Sequence, residues 1–129
     1  MLTRRSMIIA GFLASTFALP AMAADTVKFD MKAFQAAQAA GKSILVEVHA
    51  DWCPVCTKQK PISSSLRQKP EFQNFAFFTV DFDSQKDALT LFKVSKQSTI
   101  LGFKGKQETA RSTGVTDAAE IEKLWRTAI

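Results

Sequence analysis

The sequence predicts a single α/β domain in which helices cover both faces of a mixed β-sheet, giving a three-layer sandwich. Strand and helix signals alternate along the chain, hydrophobic residues make up 47% of its 129 residues, and only 5 residues are glycine. This composition is typical of one ordinary globular domain and excludes disordered and collagen-like chains. With two cysteines and one histidine, the chain is neither a disulfide-dense scaffold nor a metal site built mainly from histidines.

Residues 1–23 carry the three parts of a secretory signal peptide. Arg4 and Arg5 provide the positive start, residues 7–19 are uncharged and largely apolar, and residues 21–23 form a small-x-small cleavage site. The apolar run of about 13 residues is shorter than the roughly 20 that span a bilayer, so we expect no stable membrane insertion after cleavage. The arginine pair also partly resembles a twin-arginine signal, but the usual phenylalanine is missing, and we favour the general secretory route.

Cleavage would leave residues 24–129 as the folded domain and would lower the formal net charge from +5 to +3, because both signal arginines are removed. The remaining lysines and arginines are scattered and form no stripe that would bind nucleic acid. No motif for a nucleotide, a flavin or haem occurs, so the sequence implies no organic cofactor. We therefore expect a periplasmic protein without a nucleic-acid partner.

The first half of the domain is predicted to contain a helix, a strand and a second helix. Residues 31–40 are rich in helix formers and are followed by Gly41, a typical helix stop. Residues 44–49 are mostly apolar or β-branched, which indicates a buried strand. A polar helix is predicted over residues 53–68, with a kink at Pro61 because proline lacks the backbone donor.

The second half is predicted to contain a strand, a helix, two further strands and a last helix. Residues 75–82 indicate a strand buried on both faces, and a helix begins near residues 84–87. The apolar side expected for this helix consists of Ala88, Leu91 and Phe92. Residues 99–103 predict a strand, and residues 104–106 predict the turn to a short strand. Residues 117–120 open the last helix with a reciprocal cap. The buried face expected for it consists of Ile121, Leu124, Trp125 and Ala128.

The candidate chemistry lies at Cys53 and Cys56, directly after the first buried strand and at the start of a helix. Free backbone N–H groups and the positive end of the helix dipole stabilise a thiolate there, which lowers a cysteine pKa. Two intervening residues bring the sulfurs close enough to bond reversibly. One cysteine can then attack a disulfide of a partner and the other can resolve the mixed disulfide. Thr57 directly after Cys56 excludes a C-x-x-C-H haem attachment.

Three interpretations of this cysteine pair remain open. The pair belongs to a thiol–disulfide oxidoreductase, or to a carrier of a soft ion such as Cu(I), with His49 as a third neighbour. The third interpretation is an interaction domain that binds partners without turnover. Zinc is disfavoured because it normally takes four ligands, and a purely structural disulfide is disfavoured because so short a loop contributes little entropic stabilisation. We favour the oxidoreductase.

Residues 44–56, ILVEVHADWCPVC, resemble the active-site strand and turn of the thioredoxin superfamily. The similarity continues through Lys58 and Pro61 and, more loosely, through residues 75–83 and 99–105. The run ADWC at residues 50–53 is particularly similar to periplasmic thioredoxin-like domains that pass electrons from a membrane reductase to periplasmic targets. The resemblance implies a thioredoxin fold and protein disulfide or dithiol substrates. It also implies Cys53 as an exposed nucleophile and Cys56 as the buried resolving thiol.

The same resemblance implies roles for neighbours of the cysteines. Glu47 stands where the family often carries a buried acid, which would accept the Cys56 proton; the alternative is a side chain pointing to solvent at the strand end. Trp52 would shield the nucleophile and, with Pro54, contribute to the substrate-binding surface. His49 replaces an aromatic residue that is usual in the family, and either tunes thiolate stability or simply packs.

One departure from the family concerns the loop opposite the cysteines. The family usually places a cis-proline there, whereas this chain has Ser98, preceded by Gln97. We expect a trans bond, since a cis bond before a residue other than proline costs about 2.5–4 kcal/mol. That loop normally offers backbone pairing to the substrate, so Gln97 and Ser98 are candidate substrate-binding residues with altered partner choice. The dipeptide Pro54-Val55 leaves the direction of electron flow open, and the ADWC run favours the reducing side.

Overall fold

The computed structural model of the protein describes residues 25–129, and the signal peptide expected over residues 1–23 lies outside the described residues. The strands and helices are, in chain order, β1 (Thr26–Lys28), α1 (Met31–Ala39), β2 (Ser43–His49), α2 (Pro54–Arg67), β3 (Ala76–Asp81), α3 (Lys86–Phe92), β4 (Thr99–Lys104), β5 (Gln107–Thr113) and α4 (Ala118–Arg126). A short 3₁₀ helix over Pro70–Phe72 precedes β3. Within residues 25–129 no helix is long and apolar enough to cross a membrane.

The five strands form one mixed sheet in the order β1-β3-β2-β4-β5. Strands β1, β3 and β2 run parallel to one another, whereas β4 is antiparallel to both β2 and β5. The helices lie on both faces, so the predicted three-layer α/β sandwich is confirmed. The sequence reasoning missed β1, whose three residues are all exposed and which exists through its pairing with β3.

Hydrophobic side chains fill both faces of the sheet because β2 and β3 lie in its interior. On the face covered by α1 and α3, the cluster includes Phe29, Phe34, Ile44, Val46, Val48, Phe78, Val80, Phe92 and Leu101. On the face covered by α2 and α4, it includes Leu45, Leu66, Phe72, Phe77, Ile100, Ile121, Leu124, Trp125 and Ala128. The expected buried face of α4 is therefore confirmed. Successive residues of β2 point to opposite faces, so Leu45, Glu47 and His49 lie in one row on the α2 side.

The predicted apolar side of α3 is wrong at one position. Leu91 is 45% exposed, and Leu89 is buried in its place beside Ala88 and Phe92. Both sets of three residues fit one stripe of a helix, so periodicity does not distinguish them. The contact with the sheet decides the rotation of α3, and the helix ends immediately afterwards at Lys93, in a left-handed conformation with φ of 54°.

The expected features of α2 and α4 are met in part. Helix α2 continues from Pro54 to Arg67 as one helix with Pro61 inside it, so the proline does not divide it. At the start of α4, Asp117 Oδ1 accepts a hydrogen bond from the Glu120 backbone N–H at 2.9 Å. Among the described residues the reciprocal bond, in which the Glu120 carboxylate would accept from the Asp117 N–H, is not formed, so this cap has only one of its two predicted halves.

Candidate active site

The turn between β2 and α2 places Cys53 at the N-cap of α2. The Cys53 N–H donates to the carbonyl of Ala50 at 3.1 Å, which closes the turn after the strand. Pro54 occupies the first helical position, where its missing N–H costs nothing and its fixed φ suits the helix. The Cys53 Sγ accepts a hydrogen bond from the Cys56 N–H at 3.1 Å, so the sulfur takes the place of the usual serine or aspartate cap.

The Cys53 side chain is covered by protein, so the predicted exposure of the nucleophile is wrong for this conformation. Only 1% of Cys53 is accessible, and Cys53 packs with Ala50 and Cys56 beneath Val55 and Phe82. The physical reason is the hydrogen bond from the Cys56 N–H, which draws the sulfur over the end of the helix instead of outwards. Both cysteines are free thiols. A substrate disulfide therefore reaches the sulfur only after a small local displacement.

The two thiols are unequal in acidity. Burial alone would raise the pKa of Cys53. Hydrogen bonds from the Cys56 thiol and from the N–H groups of Cys56 and Val55 outweigh this effect and hold the pKa of Cys53 below its usual value. The Gln97 side chain contributes in the same direction. Burial is the main cause that raises the pKa of Cys56 to about 11, and the adjacent Cys53 sulfur adds to it. Cys53 is thus the better thiolate and Cys56 stays protonated until it is needed. This agrees with the roles of nucleophile and resolving thiol, which stay predictions.

Behind Cys56 lies a polar cavity of about 420 Å³ between α2 and the strands β1, β2 and β3. Glu47 lines it, and the Glu47 Oε1 atom is buried without a hydrogen-bond partner, so this side chain does not simply point to solvent. Burial raises the pKa of Glu47, and the Ser63 hydroxyl and the charge of Arg67 only partly oppose it. A carboxyl group with a raised pKa beside a buried thiol is suited to exchange a proton with it. The catalytic role of Glu47 stays a prediction.

His49 lines the same cavity, two residues after Glu47 on β2. Its Nε2 atom lies 3.2 Å from Asp51 Oδ1, and its side chain is mostly buried. Across residues 25–129 no group of three or more His, Cys, Asp or Glu side chains could hold a metal ion. The soft-ion carrier considered from the sequence therefore has no support.

Trp52 forms an exposed aromatic surface directly beside Cys53. The side chain is 58% exposed, yet it is held in place because its Nε1–H donates to Asp83 Oδ2 at 2.9 Å. Its ring also contacts Phe82 edge-on, with centroids 6.3 Å apart. Pro54 is exposed next to it. These positions are consistent with a substrate-binding surface, and that role stays a prediction for both residues.

The loop of Gln97 and Ser98 is held by backbone hydrogen bonds to β2 and to Gly114. No peptide bond within residues 25–129 is cis, so the bond between them is trans, as expected. Ser98 is buried with a φ of 58°, and its N–H donates to the Val48 carbonyl at 2.9 Å. The Ser98 carbonyl accepts from the Gly114 N–H at 3.0 Å, so both of its backbone groups are occupied within the protein. Pairing of the Ser98 backbone with substrate stays a prediction and requires these bonds to open, whereas the half-buried Gln97 side chain helps to lower the pKa of Cys53.

Gln59 is a structural residue of the site that the sequence reasoning missed. It is buried, and its Nε2 donates to the Ser98 carbonyl at 3.2 Å and to the Val115 carbonyl at 2.9 Å. One side chain thus fastens the loop opposite the cysteines to α2. The signal was a stripe at helical spacing on the inner side of α2, which consists of Cys56, Gln59, Ser63 and Leu66. The partners of a polar residue in such a stripe become known only from the tertiary structure.

We predict that Ser98→Pro destabilises the protein by about 3 kcal/mol or more, although proline is usual at this position in the family. Proline fixes φ near −65° and lacks the N–H that Ser98 donates to Val48, so it fits neither the 58° conformation nor the bond. The matched control is Ser98→Gly, which adopts positive φ freely and is expected to change stability by less than about 1 kcal/mol. Urea unfolding of both variants provides the measurement, and a proline variant as stable as the parent would contradict the loop geometry.

Comparison with known proteins agrees with this geometry. The family model for thioredoxin matches residues 25–127, which is most of the chain. The chain belongs to the thioredoxin family. Among curated thioredoxins, the H-type protein of Fagopyrum esculentum is 33% identical over 103 residues, covering 80% of this chain and 87% of that protein. Together with the cysteine pair at the start of α2, membership makes this protein a thiol–disulfide oxidoreductase.

Solved structures of thioredoxin-family proteins have the same fold. Trxlp from Edwardsiella tarda EIB202 is 40% identical, with a TM-score of 0.75 over 78% of this chain and 98% of that chain. The thioredoxin of Malassezia sympodialis, Mala s 13, has a TM-score of 0.74 over 88% of this chain and 99% of that chain. Because that protein is only 18% identical to this chain, the similarity shows a shared fold and nothing further. The α/β sandwich found here is therefore the thioredoxin fold.

Proposed function

We propose that this thioredoxin-family protein is an exported oxidoreductase that reduces disulfides of proteins in the periplasm through its CPVC pair. The observation that carries the proposal is the unequal acidity of the two thiols, with the Cys53 pKa lowered and the Cys56 pKa about 11. The Cys53 thiolate attacks a substrate disulfide, forms a mixed disulfide and releases the first substrate thiolate. Cys56 then loses its proton, its sulfur attacks Cys53, and the second substrate thiolate leaves. Two electrons thereby pass from the cysteine pair to the substrate.

Glu47 is the base in this proposal. When the Cys56 thiol enters the second step, the Glu47 carboxylate takes its proton through the shared cavity and becomes a neutral acid. Burial already favours the neutral form of Glu47, which makes the proton transfer less unfavourable than it would be for an exposed carboxylate. In re-reduction of the pair, the same proton returns to Cys56.

The reducing direction is proposed from the residues that lead into the nucleophile. The ADWC run at residues 50–53 is similar to periplasmic reducing domains. The stabilised Cys53 thiolate acts in the opposite sense, because stabilising the reduced form makes a cysteine pair more oxidising. The reduction potential of the pair shows which of the two effects is larger.

The reduction potential of the pair tests the direction of electron flow. We expect a reversible two-electron transition at about −270 mV for residues 24–129, measured against dithiothreitol and glutathione mixtures. A potential of about −120 mV would identify a thiol oxidant and reject the reducing role. A Cys56→Ser variant is the control, because it cannot form the internal disulfide and must show no such transition.

Export and the electron donor are proposed from the residues ahead of the domain. The signal-like pattern over residues 1–23 supports passage to the periplasm, and a reductase in that oxidising compartment needs a donor, for which we propose a membrane thiol reductase. Expression of the full chain in a Gram-negative host is expected to yield periplasmic protein that begins after Ala23. Replacing Arg4 and Arg5 together by lysine should leave secretion intact if the general secretory route is used. Full-length protein retained in the cytoplasm would reject export.

A further inference from the structure

The polar cavity behind Cys56 contains a residue that the two-cysteine chemistry does not use. Alternation along β2 places Glu47 and His49 on the same face, and both side chains line the cavity that Cys56 also lines. The Glu47 Oε1 atom is buried without a partner, while His49 lies nearer the surface, hydrogen-bonded to the almost fully exposed Asp51. Cys56, Glu47 and His49 therefore form a path from the buried thiol, through a carboxyl group and an imidazole, to solvent.

The bond to Asp51 defines which nitrogen of His49 is free. An ionised carboxylate only accepts hydrogen bonds, so His49 Nε2, 3.2 Å from Asp51 Oδ1, is the nitrogen that carries the proton. In a neutral imidazole the other nitrogen, Nδ1, then has a free lone pair and is ready to accept a proton. Within the described part of the chain Nδ1 has no hydrogen-bond partner. His49 is thus arranged to take a proton at one nitrogen and release one at the other.

We propose that His49 carries to solvent the proton that Glu47 takes from Cys56, and returns it when the pair is reduced again. This inference rests on the proposed role of Glu47 as base. In the forward direction the Cys56 S–H bond breaks and its proton moves to Glu47, while the Cys56 sulfur bonds to Cys53 and the substrate thiolate leaves. The neutral Glu47 then gives its proton to His49 Nδ1, and the imidazolium releases its Nε2 proton to Asp51 or water. The base is restored for the next turnover.

The other charged groups around the cavity do not fit this task. Lys60 and Arg67 line it from α2, but a protonated lysine or arginine has no lone pair with which to accept a proton. Asp81 on β3 is the register partner of His49, and its carboxylate accepts from the backbone N–H groups of Asp83 and Ser84, each at 2.9 Å. Histidine is the side chain that both accepts and releases protons readily near neutral pH.

Rapid mixing with a disulfide-bonded model peptide, followed by acid quench and mass spectrometry, separates the two steps. The first step is appearance of the mixed disulfide on Cys53, and the second is its resolution by Cys56. His49→Ala is expected to slow resolution about tenfold, a part of the roughly 10²- to 10⁴-fold that acid–base catalysis contributes. The rate of the first step should stay unchanged. Added imidazole should restore much of the resolution rate by occupying the space that the ring leaves. Ser64→Ala, an exposed change at the rim of the same cavity, is the matched control with the native rate.

Combination with Glu47→Gln distinguishes the relay from a packing role and from failure of the proposed base. If both residues act in one path, His49→Ala adds no further slowing to Glu47→Gln. A native resolution rate in His49→Ala, slowing without imidazole rescue, or additive slowing in the double variant would each overturn the relay. A native rate in Glu47→Gln alone would instead reject the base, and with it the path through Glu47. Thermal unfolding followed by circular dichroism identifies any variant whose slowing comes from loss of the fold.

Discussion

Cys53→Ser is expected to lower the rate of protein-disulfide reduction at least about a thousandfold, because the serine hydroxyl is not ionised and does not attack sulfur as a thiolate does. The structure supports this expectation, because the hydrogen bonds that lower the pKa of Cys53 stabilise a thiolate at its sulfur atom. The measurement is steady-state reduction of a model protein disulfide with dithiothreitol as the electron source, corrected for the rate without protein.

Cys56→Ser is the matched control because it removes the second thiol and keeps the first. The Cys53 thiolate should still attack, so the variant is expected to accumulate a mixed disulfide with its substrate in one-to-one ratio and to turn over poorly. Denaturing electrophoresis without reductant, together with mass spectrometry, detects the adduct. Retained turnover in Cys53→Ser, or accumulation of the adduct by Cys53→Ser and not by Cys56→Ser, would reverse the assigned roles.

Glu47→Gln is expected to change stability and activity in opposite directions. The folded protein raises the pKa of Glu47 above its ordinary value of 4.5, chiefly through burial, and so favours the protonated acid. The stability associated with Glu47 is therefore full below pH 4.5 and is lost as the pH rises through the raised pKa of the folded state. Glutamine does not ionise, so the variant should match the parent at pH 4. At pH 8 it should be more stable by about 1–3 kcal/mol, because only the parent carries a buried charge there, and leaving a buried polar or charged group unsatisfied costs at least this much.

The same Glu47→Gln substitution should slow resolution of the mixed disulfide by about 10²-fold, because the Cys56 proton loses its acceptor. Urea unfolding at pH 4 and pH 8 measures the first effect, and the acid-quenched single turnover measures the second. Asp25→Asn is a suitable control, since it neutralises an exposed carboxylate outside every helix and should change neither quantity appreciably. If the free energy of unfolding depends on pH in the same way for the parent and for Glu47→Gln, Glu47 is not the buried ionisable group that destabilises the protein at high pH.

The position of Glu47 explains why stability and activity are opposed at this site. On the α2 side of β2, Leu45 is buried in the hydrophobic cluster of α2 and α4. Glu47 and His49, further along the same strand, line the polar cavity instead. A hydrophobic residue in place of Glu47 would fill this space without an electrostatic cost. The protein keeps an ionisable group there, which is the pattern expected where a buried acid performs chemistry.

The fold class and the location of the cysteine chemistry can be predicted from the amino-acid sequence alone. Strands and helices can be predicted from residue patterns a few positions long. Examples are the apolar run that forms β2 and the apolar residues at helical spacing that form the buried face of α4. The cysteine pair directly after β2 was likewise recognisable, because a helix N-terminus is a local feature whose effect on a thiolate is general. These properties depend on neighbours along the chain, and the sequence contains them directly.

Which groups come into contact depends on the packing of elements that are distant in sequence. The exposed strand β1 exists through its pairing with β3, the choice of Leu89 over Leu91 follows from the rotation of α3 on the sheet, and Gln59 reaches carbonyls far along the chain. The cover over Cys53 and the cavity that joins Glu47, His49 and Cys56 likewise need several elements at once. Such contacts depend on how whole elements pack, and no short stretch of sequence specifies that packing.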